Sequence, residues 1–220
     1  MLLLADPLVA AVPVEESGEP LVDLRRSAIR LDERYAEATG GYAHVRQAVR
    51  DRLLRAEATL PAGVRLLVAE GWRSPSVQRS LYEDYAATVR AAEPGLDEAG
   101  VRSATSAYIA PPEVAPHTTG GAVDVTLCGP DGVELDMGTA LNATPIESDN
   151  RCYTGSIDLD PVADGNRALL VTTLTRAGFV NYPTEWWHWS YGDRYWALVT
   201  REPAALFDAI DFVSVPERVP

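Results

Sequence analysis

A glycine pair set between a histidine and an alternating run constrains this chain more than any other feature. In Pro116-His117-Thr118-Thr119-Gly120-Gly121 the proline fixes the approach and the glycines permit a sharp turn. From Gly121 to Leu127 the side chains alternate. Ala122, Asp124 and Thr126 fall on one face, and Val123, Val125 and Leu127 on the other. This reads as a strand whose reverse side is anchored in a core, with Asp124 standing on the opposite side. A turn of this size can bring His117 and Asp124 back to one point.

A second segment, Glu185-Trp186-Trp187-His188, lies near the other end of the chain. Strict alternation would put Glu185 and His188 on opposite faces, so they share a site only if the chain bends between them. Pro183 favours such a bend or bulge. The two segments together hold two imidazoles and two carboxylates, the inventory of a catalytic zinc site. In that reading His117, Asp124 and His188 are ligands, one coordination position is left for water, and Glu185 is the general base. Arg73, between a strand end and a helix start, is the candidate for a group facing a developing oxyanion. A plainer assignment uses the same residues: His117 in a loop, Asp124 exposed on a strand, Glu185 and His188 as polar edges of a tryptophan-rich core, and Arg73 on the surface.

Composition narrows the class. The 220 residues suit one large domain, 1–220, with an irregular N-terminal arm (1–19) and a C-terminal tail (202–220). With 46% hydrophobic and 23% charged residues the chain has the apolar content for a sizeable core. Its net charge of −13 and the lack of a basic stripe argue against a nucleic-acid partner. All 19 basic residues are arginines, so no Schiff-base lysine exists. The acidic balance favours solubility and says nothing of oligomeric state. Cys128 and Cys152 read as reduced thiols. The apolar start, Met1 to Ala5, lacks a preceding basic residue and is soon interrupted by Asp6 and Pro7, unlike a secretory signal. No stretch reaches the length of a membrane span, and the expected location is cytoplasmic.

Periodicity predicts the elements. From Gly41 to about Thr59 an apolar stripe (Val45, Ala48, Val49, Leu53, Ala56) predicts a helix, with His44 on its solvated side. Val64 to Trp72 predicts a buried strand. Ser74 and Pro75 then open a helix to about Ala92, with Val77, Leu81, Tyr85 and Val89 inward. Glu93 to Ser106 reads as a polar loop, and Asp131 to Asn150 as a turn, a short strand and a loop. Asn166 to Arg176 predicts a helix stopped by Gly178. Phe179–Tyr182 and Trp187–Tyr191 read as paired strands, Trp196–Thr200 as a third, and the tail beyond Glu202 as one amphipathic turn and a proline-bounded end. Helices and antiparallel strands in blocks give an α+β class, a mainly antiparallel central sheet flanked by helices.

In order along the chain, the motifs GWRSP, then His117 to Leu127, then Asp136-Met137-Gly138, then EWWH resemble the D-alanyl-D-alanine dipeptidases of the vancomycin-resistance type. These are zinc D,D-peptidases that share a fold with the Hedgehog signalling domain. The resemblance runs from about residue 20 to residue 200 and is specific in its combination of motifs. It implies one zinc ion bound by His117, Asp124 and His188, with Glu185 as base and Arg73 stabilising the tetrahedral intermediate. It further implies a restricted pocket for a small D,D-dipeptide. Two positions depart from the family pattern and bear on substrate binding. Ala115 stands where the family usually has serine, and Asn142 where it typically carries an aspartate for the substrate ammonium. A neutral amide holds a cation less well than a carboxylate does. The expected activity is therefore D-Ala-D-Ala dipeptidase. The alternatives are a related zinc carboxypeptidase or peptide hydrolase with altered N-terminal recognition, and a non-catalytic zinc-binding module.

Overall fold

The computed structural model describes residues 1–106 and 108–211. Its centre is β5 (Ala122–Cys128), the strand expected from the alternating run, and all seven of its residues are buried. Both faces of β5 are covered, so alternation here separates a core face from a site face and leaves none for solvent. On one side β5 pairs antiparallel with β4 (Arg65–Glu70), and on the other with β7 (His188–Ser190). The parallel strand β2 (Arg30–Leu31) and antiparallel β6 (Val180–Asn181) complete a five-stranded sheet of order β2-β4-β5-β7-β6. Apart from β2 it is antiparallel, as the sequence predicts. A separate ribbon pairs β1 (Leu21–Asp23) with β3 (His44–Arg46).

The core lies where helices α2 (Gln47–Glu57) and α6 (Pro161–Arg176) pack on each other and on this sheet. Val123, Val125, Leu127, Leu53, Leu170 and Leu174 are fully buried there, as is Trp189. Each such aliphatic side chain contributes roughly 1.5–3 kcal/mol on burial. The helix α3 (Pro75–Ala92) starts at the predicted cap, where Ser74 Oγ accepts the Val77 N–H. Gly178, at φ +92°, ends α6 as expected, although the helix begins earlier, on Asp160 and Pro161.

The structure departs from the sequence reading at several elements. His44 is buried on β3, because residues 44–46 pair with β1 and pull the chain out of the helix that the apolar stripe implies. Its Nδ1 meets the Gly40 carbonyl at 2.8 Å. The expected polar loop contains α4 (Glu98–Ser106), whose Val101 packs against Ala86 and Val89 of α3. On α3 the buried face is Gln78, Ala86 and Val89, while Val77 and Leu81 are exposed. The expected strand at 196–200 is helix α7 (Arg194–Thr200), because Asp193 Oδ1 accepts the Trp196 N–H and caps it. The arm is not wholly irregular: α1 (Pro7–Ala11) is capped by Asp6 and packs on α7. The 131–150 loop carries α5 (Pro145–Ser148), with a capping box between Thr144 and Glu147. Its expected short strand is reduced to one bridge between Cys128 and Glu134. The proline-bounded end of the tail lies outside the described residues.

Candidate metal centre

His117 is presented by a single 3-10 turn, Pro116–Thr119, closed by Gly120 at φ +70°. That left-handed conformation favours glycine, and a Cβ there would also push against the tip of Leu21, 2.3 Å away. Asp124 is the third residue of β5, and His188 opens β7 directly opposite it in the antiparallel register. That register brings residues sixty-four positions apart into contact. His117 Nε2 lies 3.2 Å from His188 Nδ1 and 3.3 Å from Asp124 Oδ1, and His188 Nδ1 lies 3.1 Å from Asp124 Oδ1. Among the described residues, this is the cluster of ligating side chains that converges on one point.

These separations test whether the residues fit zinc. Ligands at about 2.0–2.1 Å in tetrahedral array stand about 3.3–3.4 Å apart. The observed triangle matches that spacing, and two imidazoles with one carboxylate are a donor set that zinc accepts. The outer groups match as well. His117 Nδ1 donates to the Gly71 carbonyl at 2.7 Å, which leaves the Nε2 lone pair facing the centre. Gly71 is itself packed against residues 42–45, where a Cβ would lie 2.4 Å from the His44 carbonyl oxygen. The remote nitrogen of His188, Nε2, meets Ser190 Oγ at 3.4 Å.

Electrostatics follow from burial. All three ligand side chains are under a tenth exposed. Burial alone would raise the Asp124 carboxyl, but His117 and His188 override it and hold the group ionised, well below the usual range. Burial would likewise lower the His117 imidazole, and Asp124 pulls it back up.

Glu185 reaches the same corner through the bend that the sequence demanded. Its N–H donates to the Tyr182 carbonyl (3.0 Å), and the His188 N–H donates to the Glu185 carbonyl (3.2 Å). That turn sets Glu185 Oε2 3.9 Å from His188 Nδ1, alongside the ligand triangle. Burial pushes the Glu185 carboxyl up to about 7, against the pull of His188. Arg73 is held in place from two sides. Its Nε donates to Glu70 Oε1 (2.7 Å), Nη2 pairs with Glu70 Oε2, and Nη1 donates to Gln78 Oε1 (2.8 Å). Gln78 in turn donates from Nε2 to the Ala110 carbonyl (2.8 Å).

Arg73, His117, Asp124, Glu185 and His188 all line one cleft of about 410 Å³. Asn142 lines it too, in the left-handed region at φ 65°, which asparagine tolerates better than most residues. Ala115 is buried, and its carbonyl accepts from Thr118 Oγ1 at 2.7 Å. Its neighbours Pro116 and His117 are the ones that face the cleft. Glu70, Gln78 and Ser190 do not stand out in the sequence, and Gly71 does so only as the first residue of GWRSP. Glu70 leaves a faint signal, an acid three residues before Arg73 at a strand end.

Fold and site thus define an α+β protein with the donor set of a metal centre open to a cleft. The chain belongs to the D-ala-D-ala dipeptidase family of peptidases, whose model matches residues 32–204. It is 27% identical to a D-alanyl-D-alanine dipeptidase of Synechocystis sp. over 219 residues, covering 85% of this chain and 87% of that protein. To a D-alanyl-D-alanine dipeptidase of Escherichia coli it is 38% identical over 72 residues, 33% of this chain and 35% of that protein. Among solved structures it resembles the LdcB LD-carboxypeptidase (TM-score 0.49, 15% identity), covering 87% of this chain and 76% of that one. It also resembles the vancomycin-resistance D,D-pentapeptidase VanY, solved with Zn(II) (TM-score 0.45, 18% identity), covering 90% of this chain and 96% of that one.

Proposed function

We propose that this chain hydrolyses D-Ala-D-Ala or a closely related D,D-dipeptide, with one zinc ion held by His117, Asp124 and His188. The observation that carries this reading is the ligand triangle of 3.1–3.3 Å sides with the Glu185 carboxylate beside it. Bound there, zinc would supply Lewis acidity, polarising the scissile carbonyl and acidifying water. Glu185 takes the proton of the attacking water and passes it to the leaving amine, a task suited to a carboxylate set beside the ligand triangle. Arg73 donates to the oxygen on which negative charge develops, and Glu70 and Gln78 fix its fork before substrate arrives.

A second reading has its own support. Among the described residues lining the cleft, the carboxylates are Asp124 and Glu185, and both are committed to this chemistry. Asn142 offers an amide where a free substrate ammonium would favour an acid. This favours substrates with a blocked amino end, as in carboxypeptidase work on longer peptides. We place the activity in the cytoplasm, a reading supported by the free, buried thiols of Cys128 and Cys152. No helix among the described residues is long and apolar enough to cross a membrane.

The test is D-alanine release by zinc-loaded protein from D-Ala-D-Ala and from N-acetyl-D-Ala-D-Ala. Cleavage of the free dipeptide is the expected result. Cleavage of the blocked compound alone would favour the second reading, and cleavage of neither would count against both.

A further inference from the structure

The family match begins at residue 32, yet the cleft includes a side chain from far upstream of it, Leu4. The arm that carries Leu4 is fastened to the site. Asp6 Oδ1 accepts the Leu8 N–H at 2.9 Å and caps α1. Arg194 of α7 donates to the Ala10 carbonyl at 3.1 Å and to the Val12 carbonyl. Leu4 packs with Val9, Val114, Tyr182 and Tyr195. Its N–H donates to the Tyr182 hydroxyl at 3.4 Å, and the Tyr182 ring stands edge-on to His188 with centroids 5.9 Å apart.

Two other elements add apolar groups to the same cleft. On α3, Leu81 and Tyr85 turn outward from the helix's buried Gln78-Ala86-Val89 face, and Leu81 is 41% exposed. Ile109 comes from the segment after α4. Three separate stretches of chain thus converge with apolar side chains on a cleft whose charged groups are committed to the metal corner and Arg73. The methyls of two alanines would leave much of that surface uncovered.

We infer that Leu4, Leu81, Tyr85 and Ile109 form an apolar subsite for a D-amino-acid side chain larger than methyl. The substrate class is then D,D-dipeptides carrying a branched aliphatic or aromatic residue. This rests on the hydrolase reading above and narrows it. In such a pocket a single methylene changes the specificity constant by about tenfold or more.

The experiment compares kcat/KM of zinc-loaded protein for D-Ala-D-Ala, D-Leu-D-Ala and D-Ala-D-Leu. Wild type is expected to favour one of the leucyl dipeptides by about tenfold. Leu4→Ser and Leu81→Ser should each pull that ratio back towards one. Leu81 is already solvent-facing, so its variant folds even if Leu4→Ser unseats the arm. Preference for D-Ala-D-Ala over both leucyl dipeptides, or an unchanged ratio in Leu81→Ser, overturns the subsite and leaves the hydrolase standing. Calorimetric titration of zinc-loaded Glu185→Gln with the same dipeptides separates the opposite case. Tighter binding of a leucyl dipeptide, with wild type cleaving none of the three, would retain the subsite and reject the hydrolase.

Discussion

The metal corner and the cleft walls are built on different principles. His117, Asp124 and His188 sit on a locked turn and two paired strands, where the strand register fixes Asp124 against His188 and the turn sets His117. A slip of one residue in that register would turn Asp124 away from His188, so the buried alternation of β5 protects the site as much as the core. The walls come instead from an N-terminal arm, α3, the loop at 142–145 and the segment after α4. The candidate ligands thus sit on the sheet and one turn, while the cleft walls belong to segments attached around them.

Removing a ligand should break the corner most completely. Asp124→Ala is expected to lower kcat/KM by at least about a thousandfold and to lose zinc on dialysis, read by metal analysis. Chelation of the wild-type protein should abolish activity and lower Tm, with both restored by added zinc. Retained zinc in Asp124→Ala would mean that the triangle is not the metal site. Arg73→Ala keeps the ligands and removes the anion-stabilising fork; a loss of about 10²–10³ in kcat, with zinc content unchanged, is the expected result.

One buried side chain braces the 137–153 segment, and its loss separates the two regions. Arg167 is 3% exposed and donates to the carbonyls of Met137 (2.7 Å), Tyr153 (2.9 Å) and Arg151 (2.7 Å). Its guanidinium also lies over the Trp186 ring, and Trp186 Nε1 donates to Thr139 Oγ1. Arg167→Met removes all three hydrogen bonds and leaves the buried Met137 carbonyl without its Arg167 partner, a cost of about 3 kcal/mol. Tm should fall by about 6–12 °C for a chain of this length. Zinc stoichiometry should hold, since no ligand rests on Arg167; metal loss in this variant would show that wall and corner are one unit. Smaller still is Gln78→Ala, expected to lower kcat about tenfold through a looser Arg73, with rescue by Gln78→Glu, which keeps the acceptor.

The corner was legible in the sequence because its signals are local. A glycine-pair turn, a strand with period two and a proline-led bend can each be read within ten residues, and together they named His117, Asp124, Glu185 and His188. The central sheet was legible for the same reason. Elements set by tertiary partners were not. His44 falls on the solvated side of an apparent helix, but pairing with residues 21–23 buries it on a strand. Asp193 capping α7 was overlooked beside an aromatic run that looked strand-like. On α3 the stripe of Val77, Leu81 and Tyr85 looked like a core face, but the fold buries Gln78 to brace Arg73 and turns Leu81 and Tyr85 to the cleft. Ala115 and Asn142 stood out as departures from a family pattern, and their placement differs: Asn142 faces the cleft and Ala115 supports the turn that carries His117.

The central claim is that Glu185 moves the proton at a metal centre that it does not itself hold. The most direct measurement is zinc content and D-alanine release from D-Ala-D-Ala for wild type and Glu185→Gln side by side. The account predicts equal zinc in both proteins and a kcat lower by about 10²–10⁴ in the variant. Wild-type turnover in zinc-loaded Glu185→Gln would contradict it.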